Sequence, residues 1–192
     1  MIKPLVIQAL ILLIQAVLYF GIEYFEKDFH DVKRDIDDRI PEIPLTIFVY
    51  VLWFPLIAFY PVMLYFHSGY IIYIVSVIVN ILLSTIIYYV YPTSFVRPDT
   101  DSALIGIARK LSYKKANCVP SMHCSMCTMI IISSLYSGFD GPVICGICVL
   151  SVLIILSTLT TKQHAVLDVV TGVVFGAFCY FLVFALTALL GV

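Results

Sequence analysis

Six apolar stretches of roughly twenty residues each, divided by short polar segments, set the terms on which this chain folds. A helix rises ~1.5 Å per residue, so each stretch matches the thickness of a bilayer's hydrocarbon core. Within hydrocarbon every backbone N–H and C=O needs a partner from the chain itself, and a helix supplies those partners locally. Charged residues make up 12% of 192 positions against 62% hydrophobic, and mean hydropathy is +1.07. The expected fold is all-α, a polytopic membrane bundle of six transmembrane helices forming one domain over residues 1–192. With a net charge of -1 and no dense basic block, the electrostatic footprint of a nucleic-acid binder is missing.

The expected spans run from about Pro4 to Phe25, Pro44 to Phe66, Tyr70 to Tyr91, Pro120 to Tyr136, Pro142 to Thr161 and Ala165 to Leu190. Lys3 followed by an apolar run resembles a signal peptide. No small-x-small cleavage pattern follows in Tyr19-Phe20-Gly21-Ile22-Glu23, so this run is expected to stay as the first span. Between the first two spans, Glu26 to Ile43 is charged and carries Val32, Ile36 and Ile40 at helical spacing, which predicts one interfacial amphipathic helix.

An even number of crossings puts the segments Glu26 to Ile43, Pro92 to Val119 and the neighbourhood of Lys162 on one side. Ten of the eleven lysines and arginines fall there, and Lys3 falls opposite. Counted literally, this would make that side cytoplasmic. The first segment also holds seven acids to four bases, and cations here suit an anionic ligand, so the count leaves orientation open. The expected location is a multi-pass protein of the cell membrane, with its site at one membrane–water interface.

Two cysteine pairs, Cys124 with Cys127 and Cys145 with Cys148, have the spacing of a zinc site. Both lie in apolar runs joined by the turn at 137–141. The helical rise puts Cys124 about 20 Å below that turn and Cys145 about 6 Å. Four sulfurs so separated cannot close one tetrahedron, and the expected role is helix packing. No metal site and no cofactor are expected.

Three polar signals fall on the shared side: Phe95-Val96-Arg97-Pro98, Asn117-Cys118-Val119-Pro120-Ser121-Met122-His123, and Thr160-Thr161-Lys162-Gln163-His164-Ala165-Val166-Leu167-Asp168. Proline suits a helix start, and the N–H groups after Pro120, that of Met122 among them, have no intrahelical partner. With the Ser121 hydroxyl they can hold phosphate oxygens, with Asn117 nearby and His123 able to give a proton to a departing alkoxide. His164 and Asp168 are one helical turn apart, so the carboxylate can orient the ring and leave its other nitrogen free to attack phosphorus. Arg97 offers a planar fork for two phosphate oxygens. Singly, each has a plain reading as a helix start, a chance pair or a snorkelling arginine. Their common side and order make phosphoryl transfer the joint reading.

These residues, in this order within six spans, resemble the phosphatidic-acid phosphatase type 2 superfamily over essentially the whole chain. The run Asp35-Ile36-Asp37-Asp38-Arg39-Ile40-Pro41 before Ile43-Pro44 is similar to the lead-in of some bacterial members. Of the family's first signature, a lysine six residues ahead of Arg-Pro, the chain has Arg97 and Pro98, with Val90 at the lysine position. Pro-Ser-x-His is met in full by Pro120, Ser121 and His123. In the third signature Ser157, His164 and Asp168 match, while Thr158 stands where the family has arginine.

The resemblance implies His164 as nucleophile of a phosphohistidine, Asp168 as its orienting partner, His123 as acid on the leaving group, and Arg97 with Ser121 as phosphate cradle. It implies no metal. Two cations of the family pattern are missing, and Lys162, or Lys114 or Lys115, is the expected replacement. The sphingomyelin-synthase and inositol-phosphorylceramide-synthase relatives depart from the same two signatures. The expected function is a lipid phosphatase or phosphotransferase acting on a lipid phosphate or isoprenyl diphosphate among membrane lipids. A headgroup transferase handling a phosphodiester, and a channel or transporter, are the alternatives.

Overall fold

A computed structural model describes residues 2–25, 29–111 and 118–191. Its first helix, α1 (Ile2–Phe25), is followed by a two-residue strand β1 (His30–Asp31) and a short helix α2 (Asp35–Arg39). A single 3-10 turn at Pro44–Thr46 leads into α3 (Ile47–Val51) and α4 (Trp53–Leu64), which together make one span with a break between them. Then come α5 (Tyr70–Val90), strand β2 (Thr93–Ser94), α6 (Ala103–Leu111), α7 (Met122–Tyr136), α8 (Gly141–Thr160) and α9 (Val166–Leu190).

Five segments among the described residues are long and apolar enough to cross a membrane: Ile2–Ile22, Pro44–Leu64, Tyr70–Val90, Gly141–Thr160 and Val166–Leu190. The sixth expected span is α7, and its 15 residues reach only about 22 Å. The reason lies in its surroundings. It packs against α5, α8 and α9, and its buried face is rich in serine, cysteine and methionine. A helix enclosed by other helices need not match the lipid's thickness.

Small residues let α7 and α9 approach closely. A Cβ added at Gly172 would lie 2.6 Å from the Ser121 carbonyl oxygen, and one added at Gly176 would run into the Ser125 backbone. This pairing matters for function because α7 begins beside His123 and α9 beside Asp168.

The expected amphipathic helix between the first two spans is not what forms. Val32 lies in extended chain and is buried against Phe95, Cys118 and Ala165. Among the described residues of this segment only Asp35–Arg39 is α-helical, and within it Ile36 is 51% exposed while Asp37 is 3% exposed. Burial follows the hydrogen bonds here, not the apolar spacing. The Asp37 carboxylate accepts the N–H groups of Val166 at 2.7 Å and Arg34 at 2.8 Å. One of these is an otherwise unpaired donor at the start of α9.

Such bonds stitch the three polar segments together at one end of the bundle. β1 pairs in parallel with β2, His30 opposite Thr93 and Asp31 opposite Ser94. Ile43 donates its N–H to the Thr160 carbonyl at 2.8 Å, and Val119 donates to the Thr93 hydroxyl at 3.0 Å. The Ser121 N–H reaches the Asp168 carbonyl at 3.2 Å. Loops that are far apart in sequence thereby share one platform.

Candidate active site

Asp168 sits in the first turn of α9 and is fully buried. Its Oδ2 accepts the Ala165 N–H at 2.9 Å, which caps the helix, and lies 3.2 Å from Nδ1 of His164. His164 itself stands in the turn between α8 and α9. That turn folds back over the end of α8, with the N–H groups of Gln163 and His164 bonding the Thr158 carbonyl at 3.0 and 3.1 Å. Free carbonyls at a helix end are satisfied in this way, and the histidine is carried across the mouth of the bundle.

His123 comes one residue into α7. Its Nδ1 lies 3.2 Å from Nε2 of His164, and its Nε2 lies 3.0 Å from the Tyr50 hydroxyl. The Trp53 ring leans over it with centroids 4.3 Å apart. Four side chains therefore form one line: Asp168, His164, His123, Tyr50. If the carboxylate holds the proton on Nδ1 of His164, the neutral ring's Nε2 is an acceptor. His123 then fills that acceptor with an Nδ1–H.

His164, His123 and Tyr50 of this line border a cavity of about 460 Å³, with Asp168 buried behind them. Apolar walls come from Leu12, Ala16 and Phe20 of α1 and from Phe54 and Ile57 of α4, and the polar end holds Arg97, His123, Gln163 and His164. Arg97 reaches the cavity from the segment after β2. Burial lowers its guanidinium pKa from the ordinary value, and its Nε has no partner among the described residues. A half-buried guanidinium bordering a cavity, with its Nε unpartnered among the described residues, is suited to an anion.

The other expected binding residues divide. Met122 lines the cavity. Ser121 is buried and its Oγ accepts the Cys124 N–H at 3.4 Å, so it caps α7 beside the cavity wall. Lys162 is turned elsewhere: its amine donates to the carbonyls of Asp37 and Ile40, and it borders a second hollow with Asp38, Glu42 and Asp99. As a replacement cation pointing at the histidines, it is corrected by this placement, because the carbonyls at the end of α2 hold it. Asn117, Lys114 and Lys115 lie outside the described residues.

Neither departure from the expected signatures leaves a polar head at the cavity. Val90 is exposed on the outside of α5, and the buried Thr158 turns its hydroxyl onto the Ile155 carbonyl at 2.7 Å. Two residues that sequence reasoning passed over do border it. Tyr50 is one of 13 tyrosines, and nothing in one dimension separates it from those in the apolar spans. Gln163 is 2% exposed, with both carboxamide atoms unpartnered among the described residues. Its position directly before His164 was the available signal.

A family model described as the PAP2 superfamily matches residues 69–190, a segment holding Arg97, Ser121, His123, His164 and Asp168 but not Tyr50. No curated protein matches the chain, and no solved structure does.

Proposed function

The chain belongs to the PAP2 superfamily, and from that premise we propose that it is an integral-membrane lipid phosphatase or phosphotransferase working through a phosphohistidine on His164. The observation that carries the reading is the line Asp168, His164, His123 at the polar end of a cavity whose walls are apolar. A lipid phosphate or an isoprenyl diphosphate fits that polarity, with its tail along α1 and α4 and its phosphate toward Arg97.

At rest Nε2 of His164 and Nδ1 of His123 are in contact at 3.2 Å. Substrate binding exchanges that contact for one from each ring to the phosphoryl group. His164 Nε2 then attacks phosphorus, the bond from phosphorus to the ester oxygen breaks with its electron pair going to oxygen, and His123 gives that oxygen a proton. Asp168 steadies the cation that forms on His164. In the second half water or a lipid hydroxyl attacks the phosphohistidine, passes its proton to His123, and frees His164. Arg97 holds the non-bridging oxygens, where positioned positive charge contributes most to phosphoryl transfer.

One observation favours a second reading, transfer of an intact headgroup from a phosphodiester. Among the described residues Arg97 is the one permanent cation lining the cavity, and Lys162 is held at α2. One guanidinium balances the single charge of a diester better than the two charges of a monoester.

Rapid quench of purified protein with phosphorus-labelled lipid donors tests both. An acid-labile, base-stable label on the protein that His164→Ala abolishes is expected. Free phosphate released from a monoester supports the phosphatase, and a labelled headgroup moved to a lipid alcohol supports the transferase. Turnover that survives His164→Ala with no labelled protein sinks both.

A further inference from the structure

A general acid that later serves as a base must present the same ring nitrogen to the reacting oxygen in both roles. An imidazole can turn over about its side-chain bonds and present the other one. His123 has a neighbour that settles which nitrogen faces inward: with Nε2 3.0 Å from the Tyr50 hydroxyl, Nδ1 is the atom directed at His164. The two rings lie 5.0 Å apart at 31°, and Trp53 covers His123 from α4.

Resting on the phosphohistidine reading above, we infer that Tyr50 is the positioning residue for His123, holding Nδ1 toward the reacting phosphorus through both halves of the cycle. A phenol is suited to this because its oxygen both donates and accepts. When His123 is neutral with its proton on Nδ1, facing Nε2 of His164, Tyr50 donates to Nε2. When His123 is an imidazolium ready to protonate the leaving oxygen, Tyr50 accepts from Nε2–H. After that proton has gone to the leaving oxygen, Nε2–H still bonds to Tyr50 and the Nδ1 lone pair faces the incoming water or alcohol. The proton taken from it restores the imidazolium, so no proton is gained or lost by Tyr50. A carboxylate or an ammonium in its place would favour one protonation state and impair the other half.

The remaining titratable or charged groups that face this ring are His164, with Asp168 behind it, and Arg97 from the segment after β2. Tyr19, Tyr88 and Cys118 also border the cavity. Tyr88 donates its hydroxyl to the Pro120 carbonyl, and Nε2 of His123 is in contact with Tyr50. Tyr50 lies before the family-matched segment of residues 69–190, so its role comes from this chain's own geometry.

The test compares leaving groups in Tyr50→Phe. An alkyl lipid phosphate needs its departing alkoxide protonated, and a nitrophenyl phosphate does not. Loss of about 10- to 100-fold in the single-turnover rate of His164 labelling is expected with the alkyl ester, and less than about threefold with the nitrophenyl ester, whose leaving group needs no proton. In a His123→Ala background, Tyr50→Phe should add no further loss. An equal fall on both esters, no fall on either, or a further loss in the His123→Ala background overturns the inference. Labelling of His164 separates the two levels. Label retained in Tyr50→Phe with a loss indifferent to the leaving group sinks the role of Tyr50 alone, and label that never appears in the unaltered protein sinks the phosphohistidine reading beneath it.

Discussion

The amine of Lys162 donates to the backbone carbonyl of Asp37, 125 positions earlier in the chain, and so turns away from the cavity that His164 borders. Its work is to tie the turn before α9 to the end of α2. Lys162→Met should therefore lower thermal stability by about 1.5–3 kcal/mol, the worth of hydrogen bonds from a charged donor. The ratio of activities on dianionic and monoanionic substrates should stay the same. A selective loss on the dianion would return Lys162 to the site.

The same lysine gives a pH dependence of known sign. Burial lowers its pKa below the ordinary 10.5, with Asp37, Asp38 and Glu42 opposing the shift. Between the lowered folded value and 10.5 the unfolded chain binds more protons, so this group's contribution to stability rises with pH across that window. Melting curves of the parent and of Lys162→Met from pH 8 upward should diverge in the parent's favour. Parallel curves would count against it.

Arg97 borders the cavity as a half-buried fork whose Nε has no partner among the described residues. Lysine keeps the charge but not the planar pair of donors. Inhibition by orthovanadate should weaken about 10- to 100-fold in Arg97→Lys, equivalent to ~1.4–2.8 kcal/mol. Equal inhibition constants for the parent and this variant would remove Arg97 from the phosphate cradle.

Oδ2 of Asp168 lies 3.2 Å from Nδ1 of His164, where a carboxylate favours the proton on that nitrogen. Asp168→Asn keeps the shape and offers an amide where the ring needs an acceptor. A fall of about 10²- to 10⁴-fold in kcat is expected with little change in KM. Single-turnover measurement of His164 labelling should show the same fall, and an unaltered labelling rate would refute the assignment.

The contact of α7 with α9 predicts a mechanical sensitivity. Gly176→Ala puts a Cβ onto the Ser125 backbone, where no flexible side chain can yield. Destabilisation of at least about 1–3 kcal/mol is expected, with activity falling because the two helices set His123 against Asp168. Gly146→Ala is the control, since a Cβ there meets nothing within 4 Å. Similar melting temperatures for the two variants would contradict the packing.

Much of this was legible before any coordinates. The long apolar runs mark the spans because hydrocarbon imposes a length and a backbone rule that a local stretch either meets or fails. Arg97, His123, His164 and Asp168 could be named because each stands in a short polar signal at the end of such a run. The segment from Glu26 to Ile43 misled for the converse reason. Its spacing of Val32, Ile36 and Ile40 imitated a helix, while burial there is decided by Val166 and Lys162, far along the chain. Likewise α7 is shorter than its apolar run suggested, and most of its length packs against neighbouring helices.

The sequence by itself determined the solvent and the chemistry: helices in a bilayer, and a set of imidazoles, a carboxylate and a guanidinium on one side of it. The tertiary structure alone decided which atoms meet. It brought His123 to His164, added Tyr50 behind them, left the Gln163 carboxamide at the cavity with no partner among the described residues and gave Lys162 to α2. Hydropathy and chain length act over neighbouring residues and can be read along a line. A hydrogen bond between residues 41 or 125 positions apart exists only once helix packing has fixed where both ends lie.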